Sequence, residues 1–289
     1  MLNYILRRKW VGNPTTFRIS ENSDHLSVHS TNDGPPPDPN GGYVFRWGTT
    51  STIPGEHKTV NSAKAIHAVF DKRASRKVFS DKGMAPKSWM TYNDFLEAVV
   101  DAGLSNTMPD GVIVRPKNHI RGQDMDFCTT ALEIKTASQK HPDGYYISTY
   151  IPKVKEFRVF VVSGRILGIC EKKPVDASAI SWGCADEEGG AFKYIKWSSW
   201  DLSLADLCIR AQEEMKIDFA AVDVIQDAAG VYYLLELNSA PSMTTYWAEC
   251  FGKSFDYIVH HGKAFVPRGT DGTWKSLIHP SLTTEAKVA

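Results

Sequence analysis

Short apolar runs alternate along the 289-residue chain with polar breaks marked by Gly and Pro, a pattern that predicts a mixed α/β protein. The most regular stretch lies near the C-terminal end. Residues 219–226 (FAAVDVIQ) and 231–237 (VYYLLEL) flank Asp227-Ala-Ala-Gly230. A Gly closing a short turn between runs rich in β-branched and aromatic residues predicts a hairpin. A turn centred on Ala229 and Gly230 puts Asp223 opposite Glu236. Because side chains alternate along a strand, Asn238 shares the face of Glu236, while Val222, Val224, Leu235 and Leu237 point into a core. Two carboxylates and an amide oxygen then converge on strands that are otherwise apolar. Carboxylates so close in a half-buried sheet repel each other. A hard divalent cation, which takes oxygen ligands and substrate phosphates, resolves that repulsion. A solvent-facing hairpin with unrelated acids is the bland alternative.

The rest of the chain reads as three successive lobes, 1–70, 71–147 and 148–289. In the first, residues 4–6 and 17–19 read as short strands, 33–42 as a loop and 42–48 as a buried strand ending at Gly48. Asn61 is placed to cap a helix through Ala63, Ile66, Val69 and Phe70. The second lobe opens with a basic helix, 71–82, stopped by Gly83. A strand (88–92), a helix capped by Asn93 (94–102), a buried strand (111–116), a turn or short helix (132–140) and another strand (145–152) follow. The third lobe begins with a hairpin, 155–162 and 166–173, around Ser163-Gly164-Arg165. Glu156 and Arg158 share one of its faces. A helix capped by Asp201 runs over 202–216, and a short one over 255–262. The segment 175–200 carries no readable pattern.

Composition narrows the function without naming it. Lys+Arg and Asp+Glu are both 33, so bulk charge offers no broad attraction to nucleic acid or anionic membrane. No apolar run approaches a membrane span, and MLNYILRRKW has the reverse of a secretion signal's charge order. Five cysteines without a C-x-x-C pair fit a reduced, cytoplasmic protein. Gly252-Lys253-Ser254 mimics half a phosphate-binding loop, but the Gly needed five residues earlier is Trp247. His260-His261 reads as helix surface.

The order Asp223, Glu236, Asn238 and then Pro241 resembles the metal-binding hairpin of the ATP-grasp superfamily, which includes D-alanine–D-alanine ligase, glutathione synthetase and tubulin-tyrosine ligase. Upstream, D-K-x₉-K-G-x-x-P from Asp71 resembles the opening of that superfamily's ATP-binding lobe. The strand ending Val114-Arg115-Pro116 is similar to its "vvKP" strand, with Arg replacing Lys. E-F-R-V-F-V-V from Glu156 resembles the "(D/E)-x-R-V-x-V" strand of its peptide ligases. A strand ending Trp47-Gly48 before a helix resembles small members found in bacteria and bacteriophages.

The resemblance implies an α/β ATP-grasp fold of three lobes, with ATP between the middle and C-terminal ones. It implies that Asp223, Glu236 and Asn238 hold Mg²⁺ (or Mn²⁺) on the ATP phosphates. Arg76 or Lys77, Arg115, Lys117 and the loop residue Arg121 would contact phosphate. Thr149, Tyr150 and Ile151 would read adenine, and Glu156 the ribose. Arg158 would face the γ-phosphate or acyl group, with Lys172 or Lys173 on phosphate or a substrate carboxylate. The implied reaction joins a small-molecule or peptide carboxylate to an amine through an acyl phosphate. A phosphotransferase on the same fold and a non-catalytic nucleotide-binding module are the alternatives, the second prompted by Arg115.

Overall fold

The computed structural model describes residues 1–8, 14–101, 107–117, 124–174, 176–177, 179 and 191–263. In chain order the first elements are β1 (Tyr4–Arg7), α1 (Thr15–Glu21), β2 (Ser27–Ser30), β3 (Tyr43–Trp47), β4 (Lys58–Val60) and α2 (Ala63–Phe70). Their strands form a parallel sheet in the order β2-β1-β3-β4. The next are α3 (Lys72–Asp81), β5 (Ser88–Trp89), α4 (Tyr92–Asp101), β6 (Thr107–Pro116), β7 (Asp126–Thr130), α5 (Ala131–Gln139) and β8 (Tyr145–Thr149). These strands build an antiparallel sheet, β5-β8-β6-β7. Last come β9 (Lys153–Val162), β10 (Arg165–Lys173), β11 (Ala191–Ile195), α6 (Leu202–Met215), β12 (Phe219–Asp227), β13 (Tyr232–Asn238) and α7 (Thr245–His261). They form a five-stranded antiparallel sheet, β11-β10-β9-β12-β13.

The five-stranded sheet is covered on both faces, which is why its central strands are apolar throughout much of their length. One face packs Val159, Val161, Val222 and Val224 against α6 and against Phe79 of α3. The other packs Phe160, Val162 and Phe219 against Phe251 and Phe255 of α7, with Phe45 and Trp47 of β3 alongside. Two glycines make this second layer fit. A Cβ on Gly168 of β10 would meet the Trp247 ring at 2.0 Å, and one on Gly252 would meet the Asn22 carbonyl oxygen at 2.5 Å. Gly252 therefore lets the α1 end approach α7, which is the physical role of the false phosphate-loop fragment.

Several local expectations are corrected. Residues 17–19 are helical, not extended: Thr15, Thr16 and Ile19 share a buried helix face while Phe17 points outward. Asn61 does not cap α2; Ser62 does, accepting from the Ala65 N–H at 3.1 Å. Asn61 instead adopts φ +63° and is fully buried. Its amide accepts from the Asp218 and Phe219 N–H groups and donates to the Phe219 carbonyl, tying the segment after β4 to the start of β12. The cap of α4 is Thr91, which exchanges hydrogen bonds with Asp94, not Asn93. The C-terminal helix starts at Thr245, ten residues earlier than expected, because Trp247, Phe251 and Phe255 are one buried stripe. Strands β2 and β4 carried no clear pattern: they are short and only partly buried.

Candidate active site

The registers of the five-stranded sheet line up chemistry across strands. Tyr194 pairs with Cys170, Cys170 with Arg158, Arg158 with Asp223, and Asp223 with Glu236. Laterally paired residues share a face, so these five form one row across the whole sheet. The neighbouring row carries Phe192, Lys172 and Glu156.

The Asp223–Glu236 pairing depends on a β-bulge. Near the turn Gln226 faces Tyr232 and Val224 faces Leu234, so the turn is centred on Ala229. That register alone would set Asp223 against Leu235. One extra residue in β13, Leu235, shifts the pairing and restores Asp223 opposite Glu236. The expected inward residue is corrected in consequence: Leu234 is fully buried in the core, and Leu235 is only half-buried. Arg76 holds the bulge. It is buried in α3 and donates to the Leu234 carbonyl at 3.0 Å and the Leu235 carbonyl at 2.5 Å, with its guanidinium over the Tyr146 ring. Burial pushes this guanidinium below its usual pKa, an effect partly countered by Tyr146.

Each carboxylate of the row is matched by a cation. Arg158 grips Asp223 through two hydrogen bonds of 2.8 Å, the bidentate geometry that suits guanidinium and carboxylate. Burial alone would raise the Asp223 carboxyl. The Arg158 charge and hydrogen bonds, aided by Lys172 and Lys72, more than offset this and hold it below the usual carboxylate range. Lys72 pairs with Glu236 at 2.7 Å. Glu156 is bound by Lys172 on one oxygen and Lys153 on the other, both at 2.7 Å. Burial draws the Lys153 ammonium below its usual pKa, and Glu156 works against that shift. The expected mutual repulsion of Asp223 and Glu236 is therefore relieved by Arg158 and Lys72 in the protein itself.

The remaining anticipated residues fall in different places. Lys77 pairs with Asp81 on the solvent side of α3, and Lys173 pairs with Glu171 on an exposed strand end. Arg115 and Lys117 lie at the end of β6, and Arg115 is close enough to act electrostatically on both Arg76 and Lys153. Among the described residues, no acid pairs with Arg115, and its buried Nε has no partner. The Thr149 N–H donates to the Lys87 carbonyl and the Tyr150 N–H to the Gly111 carbonyl. Ile151 thus has the N–H of that trio for which no such bond is formed among the described residues. The Asn238 amide oxygen accepts from the Ala240 N–H at 2.9 Å. Arg121 lies outside the described residues. Lys72 and Lys153 escaped the sequence reading. Lys72 stood in plain view in the Asp71-Lys72 opening, whereas Lys153 has no pattern, since its role depends on Glu156 and Lys172 folding beside it.

No family model matches the sequence, and no curated protein matches it. Solved structures do match. The ATP-grasp ligase PsnB complexed with minimal precursor aligns at TM-score 0.63 and 12% identity, over 91% of this chain and 100% of that one. The chain has the ATP-grasp fold. D-alanine–D-alanine ligase from Bacillus anthracis aligns at 0.59 and 14% identity, with 100% of both chains covered. The macrocyclase MdnC from Microcystis aeruginosa bound with precursor peptide MdnA aligns at 0.57 and 9% identity, over 87% and 98%. In this ATP-grasp fold the charged groups come from two sheets. Arg115 and Lys117 extend from β6, and the ion-pair rows lie on the five-stranded sheet, with Lys72 and Arg76 supplied by α3. Among the described residues, no helix is long and apolar enough to cross a membrane.

Proposed function

We propose that the protein is an ATP-dependent carboxylate–amine ligase. The observation that carries this reading is the row of Arg158, Asp223 and Glu236, flanked by Lys172 and Glu156, on the central sheet of an ATP-grasp fold. PsnB has been solved with precursor, Mg and ADP, and the Bacillus anthracis ligase with ATP. These relatives in fold support ATP and Mg²⁺ as the cofactors here. The donor set fits that ion. Asp223, Glu236 and Asn238 offer only oxygen, and two carboxylates are a common complement for a metal that also binds phosphates. The bound ion would neutralise phosphate charge.

The chain's own groups account for the rest. Arg115, Lys117 and Lys172 offer positive charge to the triphosphate. The Ile151 N–H, without a backbone partner among the described residues, would donate to a purine edge at the hinge. Arg158, once it shares Asp223, presents its guanidinium to the anion that develops at the acyl centre. In the first step a substrate carboxylate oxygen attacks the γ-phosphorus, the bond from that phosphorus to the bridging oxygen breaks, and ADP leaves. In the second, the amine nitrogen attacks the acyl carbon, the acyl–oxygen bond breaks, phosphate leaves and the amine proton is lost. PsnB and MdnC were solved with precursor peptides, which supports a peptide as one substrate. An ATP-consuming enzyme with buried free thiols at Cys128, Cys170, Cys208 and Cys250 belongs in the cytoplasm.

The test is product analysis with ATP, Mg²⁺ and a panel of peptides and amines. Equal amounts of ADP and free phosphate, with an amide product, are expected. ADP with a stable phosphorylated product would establish a kinase instead, and tight ATP binding without ADP formation would establish a non-catalytic module.

A further inference from the structure

The ion-pair rows do not stop at charged residues. On their β11 side they run into an aromatic wall. Phe192 pairs with Lys172 and Tyr194 with Cys170, so both rings stand on the face that carries Arg158 and Asp223. The Arg158 guanidinium lies 5.3 Å from the centre of the Phe192 ring. The first turn of α7 completes the wall. Tyr246 and Trp247 meet edge to face at 4.9 Å, Tyr246 and Tyr194 at 6.0 Å, and Tyr194 and Trp247 at 5.7 Å. Trp247 is buried over Gly168, whose missing side chain makes room for it.

Trp247 needs no further partner, but the two tyrosines do. Tyr194 is 43% exposed and Tyr246 53% exposed, although each already touches two aromatic rings. Large rings left half in water beside a charged cleft are where ligands bind: an apolar surface with a few convergent polar groups is the usual make-up of such a site. The spacing sets the size of the occupant. Tyr194 and Arg158 are two strands apart, about 10 Å, so a residue whose backbone reaches Arg158 lays its side chain on the wall. Rings that already meet one another tilted or edge to face and remain partly exposed favour another aromatic group, which can add to the same packing. Arg158 and Lys172, the neighbouring cations on this face, already occupy Asp223 and Glu156, so an ammonium group on the wall would gain neither carboxylate as its own partner.

We propose that Tyr194 and Tyr246, backed by Trp247, form a subsite for an aromatic side chain of the peptide or amino-acid substrate, adjoining Arg158. This rests on the ligase reading only in treating the ion-pair row as the reaction centre.

The experiment is calorimetric titration of the full chain with three tripeptides, Gly-Phe-Gly, Gly-Ala-Gly and Gly-Lys-Gly, with and without a non-hydrolysable ATP analogue. Gly-Phe-Gly is expected to bind about tenfold tighter than either of the others. Tyr246→Ala and Tyr194→Ala should each abolish most of that preference, and Tyr246→Phe should keep it, with melting temperatures near that of the unaltered chain. Equal or undetectable binding of all three peptides, tighter binding of Gly-Lys-Gly, or a phenylalanine preference that survives both alanine substitutions would overturn the subsite. None of these readouts requires turnover. Failure of the ligase reading shows separately, as absence of ADP and phosphate release.

Discussion

Asp223 and Glu236 face each other across two strands, yet their neighbours give them different duties in the fold. Asp223 is buried and bidentate to Arg158, whereas Glu236 and Lys72 form a half-exposed pair. Removing one partner of a buried pair strands the other charge and costs about 3–5 kcal/mol, while an exposed pair is worth under about 1 kcal/mol. Asp223→Asn should therefore lower the denaturation free energy by on the order of 3 kcal/mol, and Glu236→Gln should leave it nearly unchanged. Both should strongly reduce ADP release at saturating Mg²⁺. A Glu236→Gln protein that melts well below the unaltered chain, yet turns over normally, would mark Glu236 as structural and sink the proposed metal site. The pH dependence has a definite sign. The Asp223 carboxyl is held below its ordinary range, so its contribution is present above the unfolded value of about 3.9 and is lost as pH falls through the lower folded value. Stability measured below about pH 4 should thus fall less steeply for Asp223→Asn than for the unaltered chain. Arg115, without an acid partner among the described residues, should act on nucleotide alone. Arg115→Ala is expected to weaken ATP binding by about 1.5–3 kcal/mol with an unchanged circular dichroism spectrum. Unchanged affinity would transfer the role to Lys117.

At the scale of elements, the bulge in β13 decides which residues reach the site. A one-residue slip in a strand exchanges its faces, and without the extra residue Glu236 would fall on the core face and Leu237 on the face of Asp223. The register on the turn side of the bulge sets Leu234 opposite the core residue Val224. Leu234→Ala should therefore cost about 2–5 kcal/mol in chemical denaturation, and Leu235→Ala markedly less. The reverse order would show that Leu235, not Leu234, lies opposite Val224. A turn centred on Ala229 and Gly230 yields the Asp223–Glu236 pairing but the wrong core leucine, because the turn is centred on Ala229 and a bulge leaves no mark in a run such as Tyr-Tyr-Leu-Leu-Glu-Leu. Arg76, which pins the bulge from α3, shows the same limit: nothing along the sequence marks the two carbonyls it binds.

At the scale of the whole molecule, the N-terminal parallel sheet and the five-stranded sheet meet around the start of β12 and α7. Asn61 bonds to Asp218 and Phe219, while α7 packs against both sheets. Asn61→Ala would leave the Asp218 and Phe219 N–H groups and the Phe219 carbonyl without partners, and would place alanine at φ +63°. Each unsatisfied buried group costs about 1–3 kcal/mol. The substitution should therefore lower stability by at least about 3 kcal/mol in urea denaturation, although Asn61 lies on none of the rows that carry the chemistry. A loss below about 1 kcal/mol would show that the N-terminal sheet is held elsewhere.

The sequence by itself determined the elements whose signal is local: the apolar strands 219–226 and 155–162, the helix capped by Asp201, and the carboxylates that interrupt an apolar hairpin. Periodicity and turn chemistry act over a few residues, so they survive in one dimension. The tertiary structure alone decided which cations stand beside those carboxylates. Lys72 comes from α3 and Lys153 and Arg158 from β9, and α3 places Lys72 beside Glu236, 164 positions further along the chain. It also decided that Tyr194 and Tyr246, more than fifty positions apart, share one wall. Ion pairing and ring packing depend on distance in space, and no spacing along the chain encodes that distance.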